Sequence, residues 1–338
     1  MKGTATMEPE IVPERPEPGE RCSAFARRSR ATVLGTGMSA SAILVLDVPT
    51  PWPHSIEDDP SIAMVGSHPS LIRLAAVPQA DETPMATLFL RARSGSAESW
   101  SLPLEDTADD DWRRLADCLD RAAGGPIDPE WWEPAGWTRL QPRRVWLICT
   151  HGSRDVCCGS KGASFAAEVR RDVGFAFHRR VSHLGGHRFA PTMIEMPSGR
   201  TWAYATTDLI RSREAGLDAA ISSGAGRGWW GAAQGPEQIG EWAAMEAAIA
   251  GHDDTNPNKS SQPFDPANAA EVWDRTERVV KTDEVGDGQF VVSVESDDAE
   301  FRVEIRRTDD ELIPACGQVD GPHKTTKTFA VNGVMRVR

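Results

Sequence analysis

A continuous apolar run, Val145-Trp146-Leu147-Ile148, leads straight into Cys149, and the chain soon reaches a cysteine pair, Cys157-Cys158, followed at once by Gly159. A run this short and this apolar suits a central strand buried on both faces. From Ala163 to Val173, Phe165, Ala166 and Val169 fall on one helical face, and Gly174 is placed to stop the helix. Phe175 to Val181 then alternates as a strand does. A cysteine at a strand end, a polar loop, a helix and a returning strand together restrict this part of the chain to an α/β design. The chemistry-bearing side chains collect at one end of the sheet.

Downstream, Pro191 to Met196 and Thr201 to Ala205 flank the turn Pro197-Ser198-Gly199-Arg200, and a helical stretch follows from Pro236 to Ala250. Strand, loop, helix, strand, hairpin and helix is the element order of a thioredoxin-like unit, here spanning residues 141–251. An α/β unit is expected before it, over residues 21–140. Its markers are the buried strand Ala42–Val48, which ends in Pro49-Thr50-Pro51-Trp52-Pro53, the strand Ala86–Ala92, and a helix with Trp112, Leu115, Cys118 and Leu119 on one face. Residues 1–20, rich in Pro and Glu, read as a disordered leader without the apolar stretch of an export signal. Residues 252–268 read as a linker, and 269–338 as a small β-rich tail with strands at 289–294, 301–305 and 328–331. No internal repeat is evident, although both larger units could follow one α/β plan.

The 338-residue chain carries a net charge of −13, which argues against nucleic acid or an anionic membrane surface as a partner. No apolar run approaches the about 18–20 residues that span a bilayer, so a cytoplasmic location is expected. Six cysteines are too few for a disulfide scaffold, and the tight cluster of three of them at 149–158 favours metal or redox chemistry. Trp131-Trp132 and Trp229-Trp230 are expected to pack domains together.

His183 and His187 are four apart, as in zinc-protease helices, but Gly185 and Gly186 lie between them and Leu184 stands where that motif needs Glu. Each glycine would cost a helix about 1 kcal/mol, so the segment is a tight loop in which two imidazoles face one centre. Cysteines near a helix start meet unpaired N–H groups that favour thiolate and sulfide charge. Two cysteines and two histidines from two loops suit either zinc or a [2Fe–2S] cluster.

The stretches Cys149-Thr150-His151-Gly152-Ser153-Arg154-Asp155-Val156-Cys157-Cys158-Gly159 and His183-Leu184-Gly185-Gly186-His187-Arg188-Phe189-Ala190 resemble the sucrase/ferredoxin-like family of thioredoxin-like [2Fe–2S] proteins. The likeness is strongest over residues 143–205. It reaches weakly to Cys22, to Gly35-Thr36-Gly37, to Pro51-Trp52-Pro53, and to Arg227-Gly228 and Gln234. The resemblance implies Cys149, Cys158, His183 and His187 as cluster ligands, with Cys157 as the alternative to Cys158. Cys158 is favoured because it directly precedes Gly159, as the ligand does in the family pattern. The resemblance further implies an electron carrier rather than an enzyme with its own substrate, and no sucrase. A redox partner protein is implied, with a flavoprotein reductase as the analogy from ferredoxins.

His151, Arg154, Asp155, Gly185, Gly186 and Arg188 are expected to support the ligands. In plainer terms, His151 is a loop histidine satisfied by backbone, and Arg154 and Asp155 form a loop ion pair. Cys22, Cys118 and Cys316 read as isolated, small buried hydrophobes. His54, His68, His252 and His323 read as surface residues. A structural Cys₂His₂ zinc site in a non-enzymatic binding protein is the competing function. Thiol oxidoreduction at Cys157 or Cys158 would call for a Cys-x-x-Cys motif at a helix start, which is missing. Glycoside hydrolysis would need a carboxylate pair, and Glu195, on the hairpin, reads as a surface residue.

Overall fold

The computed structural model describes residues 17, 19–29, 31–80, 82–92, 97–172, 177–215, 224–227, 235–250, 278–296, 299–311 and 325–338. The 252–268 linker, most of the 1–20 leader, Gly174, Gly228, Trp229-Trp230, Gln234, His252, Cys316 and His323 lie outside them.

The chain is mixed α/β. Its elements are α1 (Cys22–Arg28), β1 (Ala42–Asp47), α2 (Pro60–Ala63), β2 (Leu71–Ala76), β3 (Met85–Arg91), β4 (Ala97–Pro103), α3 (Asp109–Ala122), β5 (Thr138–Arg139) and β6 (Val145–Cys149). They continue with α4 (Ala163–Asp172), β7 (His178–Val181), β8 (Met193–Met196), β9 (Arg200–Trp202), α5 (Thr207–Glu214), β10 (Gly224–Arg227) and α6 (Pro236–Ala250). The strands β11 (Arg278–Gly286), β12 (Gln289–Ser296), β13 (Ala299–Glu311) and β14 (Thr325–Arg336) close the chain.

Strands β1 to β10 form one sheet in the order β10-β9-β8-β6-β7-β2-β1-β3-β4-β5. Its two halves repeat a single plan. In one, β1 pairs parallel with β2 and antiparallel with β3, which pairs antiparallel with β4. In the other, β6 stands in the same relations to β7, β8 and β9. The common plan suspected from the sequence is therefore present in strand pairing, where no residue repeat advertises it. The halves meet edge to edge, β2 antiparallel to β7 at Ala76 and Val181. The seam is closed by Val77 N–H to Arg180 C=O at 2.9 Å, Ser182 N–H to Ala75 C=O at 2.8 Å, and a buried ion pair between Arg179 and Asp47.

Period-two alternation divides each strand between two faces. Leu44, Leu46, Leu88 and Leu90 pack beneath α3 with Trp112, Leu115, Trp132 and Trp137. Trp132 is thus interior to the first half rather than a packer of domains. Trp146 and Ile148 turn toward Phe165, Val169, Leu209, Ile210 and Trp242 of α4, α5 and α6. Leu147 and Cys149 take the opposite face, with Ile43, Val45, Phe89, Val181, Leu184 and Cys158. The strands β11 to β14 form a separate antiparallel sheet whose Val292, Val294, Phe301, Val303 and Ile305 cover Ile239, Ala243 and Ala244 of α6. No helix among the described residues is long and apolar enough to cross a membrane.

Glu195 is not a surface residue. It is 2 % exposed on β8, accepts from Arg213 Nη2 at 2.9 Å, Arg213 Nε at 3.1 Å and Trp202 Nε1 at 3.1 Å, and lies 3.2 Å from Arg144 Nε. Burial alone would raise its pKa, but Arg213, with Arg144 and Arg200, holds the carboxyl below its ordinary range.

Candidate metal centre

Cys149 is the last residue of β6, and its N–H donates to Thr192 C=O at 3.0 Å. The loop that follows folds back tightly. A Cβ on Gly162 would lie 1.9 Å from the Cys149 carbonyl oxygen, and one on Gly159 would lie 2.5 Å from Gly152 Cα. Backbones can approach this closely only where the residue facing the contact carries no Cβ, as Gly162 and Gly159 do not. The loop expected over 149–162 is shorter than it looked in the sequence. Helix starts at Val156, widens to a π turn over Cys158–Gly162 and continues as α4. Asp155 begins that turn, its Oδ1 accepting from the Cys157 N–H at 2.7 Å.

Placing the cysteine pair on a helical turn separates the two thiols. Successive residues on a helix diverge by about 100°. Cys158 faces Cys149 and His183, and these three ligand atoms lie within 4.8 Å of one another, Cys158 Sγ standing 3.8 Å from His183 Nδ1. Cys157 faces α1. Its Sγ is 3.5 Å from Cys22 Sγ and accepts from Ser23 Oγ at 3.3 Å. Cys22, which seemed isolated in the sequence, is buried as expected, yet it contacts both Cys157 and His187.

The histidine loop leaves β7 and turns through Gly185 and Gly186, whose φ angles of +75° and +60° lie in the left-handed region that glycine occupies without strain. The His183 and His187 rings stack, 6.1 Å between centroids and 29° apart in plane. His187 Nδ1 lies 3.3 Å from Asp155 Oδ2 and 3.3 Å from Cys22 Sγ. Asp155 is therefore turned inward to His187, while Arg154 is exposed and takes no part in that contact. Arg188 lies over the Phe189 ring, 4.6 Å from its centroid.

His151 joins the two ligand loops. Its Nδ1 accepts from the His183 N–H at 3.2 Å, so the proton sits on Nε2, which donates to Pro53 C=O at 2.8 Å. Burial lowers its pKa and keeps it neutral. Trp52 meets the His151 ring edge-on, and Ser153 Oγ donates to Trp52 C=O at 2.7 Å. The proline-rich turn after β1 thus holds the ligand loop of the other half.

The Cys149 thiol is held well below its ordinary pKa because Cys158 donates to it, joined by His183 and the His151 N–H. Cys158 is pushed up by that same bond to Cys149 and by burial. Either sulfur becomes a metal ligand on losing its proton. Cys149, Cys158 and His183 form a group that could hold a metal ion. His187, the fourth residue that the resemblance implies, is not among those three, and its Nδ1 is turned to the Asp155 carboxylate.

Fold and site together define a mixed α/β protein with a Cys/His group able to bind a metal. Residues 33–237 match the family described as Sucrase/ferredoxin-like, and the chain belongs to that family. No curated protein and no solved structure matches it.

Proposed function

We propose that the protein is an electron carrier with a bis-histidinyl [2Fe–2S] centre held by Cys149, Cys158, His183 and His187. The observation that carries this reading is the convergence of Cys149, Cys158 and His183 from β6, the π turn and the loop after β7. Family membership supports it. Such a centre supplies one-electron transfer, at a potential raised by imidazole ligation relative to an all-cysteine cluster. The chain's own residues set the conditions for it. Gly162 and Gly159 let the cysteine loop close, His151 fixes the spacing of the two loops, and Asp155 orients His187. A redox partner protein, with a flavoprotein reductase as the first to test, would dock near the strand ends.

The test is the visible spectrum of protein purified without air, with iron and acid-labile sulfide assayed on the same sample. Two irons and two sulfides per chain are expected, lost in Cys149→Ala and His183→Ala. A colourless protein carrying one zinc would overturn the proposal and leave a structural metal site.

A further inference from the structure

Cys157, which faces away from the Cys149, Cys158 and His183 group, is not isolated. Cys157 meets Cys22 from 135 residues earlier in the chain, Sγ to Sγ 3.5 Å. Both thiols are buried, at 0 % and 5 % exposure, within a cluster formed by Phe25, Ala26, Phe189, Ala190 and Ala203. Simple apolar packing would account for the burial. It does not account for the polar groups aimed at the two sulfurs, the Ser23 hydroxyl donating to Cys157 and His187 Nδ1 at 3.3 Å from Cys22. The lack of a Cys-x-x-Cys motif argued against thiol chemistry from sequence, but the fold supplies the missing partner from α1.

We propose that Cys22 and Cys157 are a reversible dithiol–disulfide pair, a two-electron redox site fastening α1 to the cysteine turn. The sulfurs already stand 3.5 Å apart, so bonding distance is an approach of about 1.5 Å away. A peroxide is the oxidant, and it meets the pair at Cys22, which keeps 5 % exposure. Cys22, the less buried of the two, attacks one peroxide oxygen as its thiolate. The O–O bond breaks, hydroxide leaves, and a sulfenic acid forms. The Cys157 sulfur then attacks the Cys22 sulfur, the S–S bond forms and water leaves. In sum, two thiols and one hydrogen peroxide give one disulfide and two waters, the peroxide taking two electrons and the thiol protons ending in water. This chemistry does not depend on what the Cys149, Cys158 and His183 group binds. Only one consequence rests on the proposed function: a two-electron site then adjoins a one-electron centre through His187.

The test uses the full chain, purified without air, its spectrum recorded first. It is treated with hydrogen peroxide, alkylated, digested with trypsin and mapped by mass spectrometry. Cleavage after Arg21, Arg27, Arg154 and Lys161 separates peptide 22–27 from peptide 155–161. The expected product is a link between these two peptides with a mass loss of about 2 Da, reversed by dithiothreitol, and peptide fragmentation places the bond on Cys157 and the alkyl group on Cys158. The link is absent in Cys22→Ser, and the wild-type map stands by itself should that variant not fold. Full alkylation of Cys22 after a peroxide dose that oxidises other thiols would overturn the proposal. A dominant link between 155–161 and 145–154, the Cys149 peptide, would overturn it as well. The link formed in a colourless protein would uphold the pair while sinking the iron–sulfur reading.

Discussion

Gly162→Ala isolates the closeness of two backbones at the metal-capable group. In an unconstrained helix the substitution gains about 1 kcal/mol, since alanine is the better helix former. Here the added methyl would lie 1.9 Å from the Cys149 carbonyl oxygen, 3.1 Å from its carbonyl carbon and 3.6 Å from Thr150 Cα. Ordinary contact begins near about 3.5 Å, so the overlap with the oxygen is more than ~1 Å. No rotamer relieves it, because both sides are backbone. Either the end of β6 or the π turn must move, and these carry Cys149 and Cys158. Overpacking costs about 1–3 kcal/mol and more where nothing yields. Because nothing yields here, we expect the upper end of that range, a net loss of about 2 kcal/mol or more after the helix gain. With a urea slope of about 2–3 kcal/mol per molar, the midpoint falls by roughly 1 M. The assay is urea unfolding followed by tryptophan fluorescence, with metal content measured on the same preparations. Ser164→Ala, on the exposed side of α4, is the control and should be neutral within a few tenths of a kcal/mol. A Gly162→Ala protein with an unchanged or higher midpoint and full metal content would refute the reasoning.

Three further outcomes are expected. Glu195→Ala leaves Arg213, 2 % exposed, without its carboxylate and should cost about 3–5 kcal/mol. Adding Arg213→Met should recover much of that in a double-mutant cycle, and a single-mutant loss under about 1 kcal/mol would sink the idea. His151→Ala strands the His183 N–H and separates the loops, costing about 1–3 kcal/mol. It should also weaken metal retention against a chelator by about 10-fold or more, and unchanged retention would deny His151 its positioning role. Stability should fall with acid in two stages. The folded pKa of His151 lies below its ordinary 6.5, so the unfolded chain takes that proton first and stability drops as pH falls below 6.5. The folded pKa of Glu195 lies below its ordinary 4.5, so the contribution present above 4.5 is lost as pH falls through the folded value. Urea midpoints flat as pH falls from 7 to 5 would contradict the His151 assignment, and midpoints that stay flat as pH falls further, well below 4.5, would contradict that of Glu195.

Much of the fold was legible along the chain because its signals are local. Apolar runs and alternation marked β1, β3 and β6, the spacing of Trp112, Leu115 and Leu119 marked α3, and Pro236–Ala250 matches α6 in both bounds. The short strands β2 and β4 were not read, since Leu71–Ala76 and Ala97–Pro103 carry Arg73, Glu98 and serines within them. Their strand state depends on pairing with neighbours, and context of that kind overrides intrinsic preference. The start of the helix at Val156 was hidden as well, because glycines at 159 and 162 argue against helix unless the closeness of Cys149 is known.

By itself, then, the sequence determined the α/β class, the strand that ends in Cys149, the tight glycine loop between His183 and His187, and the family whose pattern those residues carry. These follow from periodicity, turn chemistry and residue type, all readable within a few residues. Only the tertiary structure decided which cysteine faces which partner. It set Cys158 toward Cys149 and His183, Cys157 toward Cys22, Asp155 toward His187, Glu195 into the interior, and the turn at Trp52 and Pro53 beneath His151. Each of these depends on bringing together segments distant in the chain. A side chain's direction on a helical turn has chemical meaning only once the opposing surface is in place.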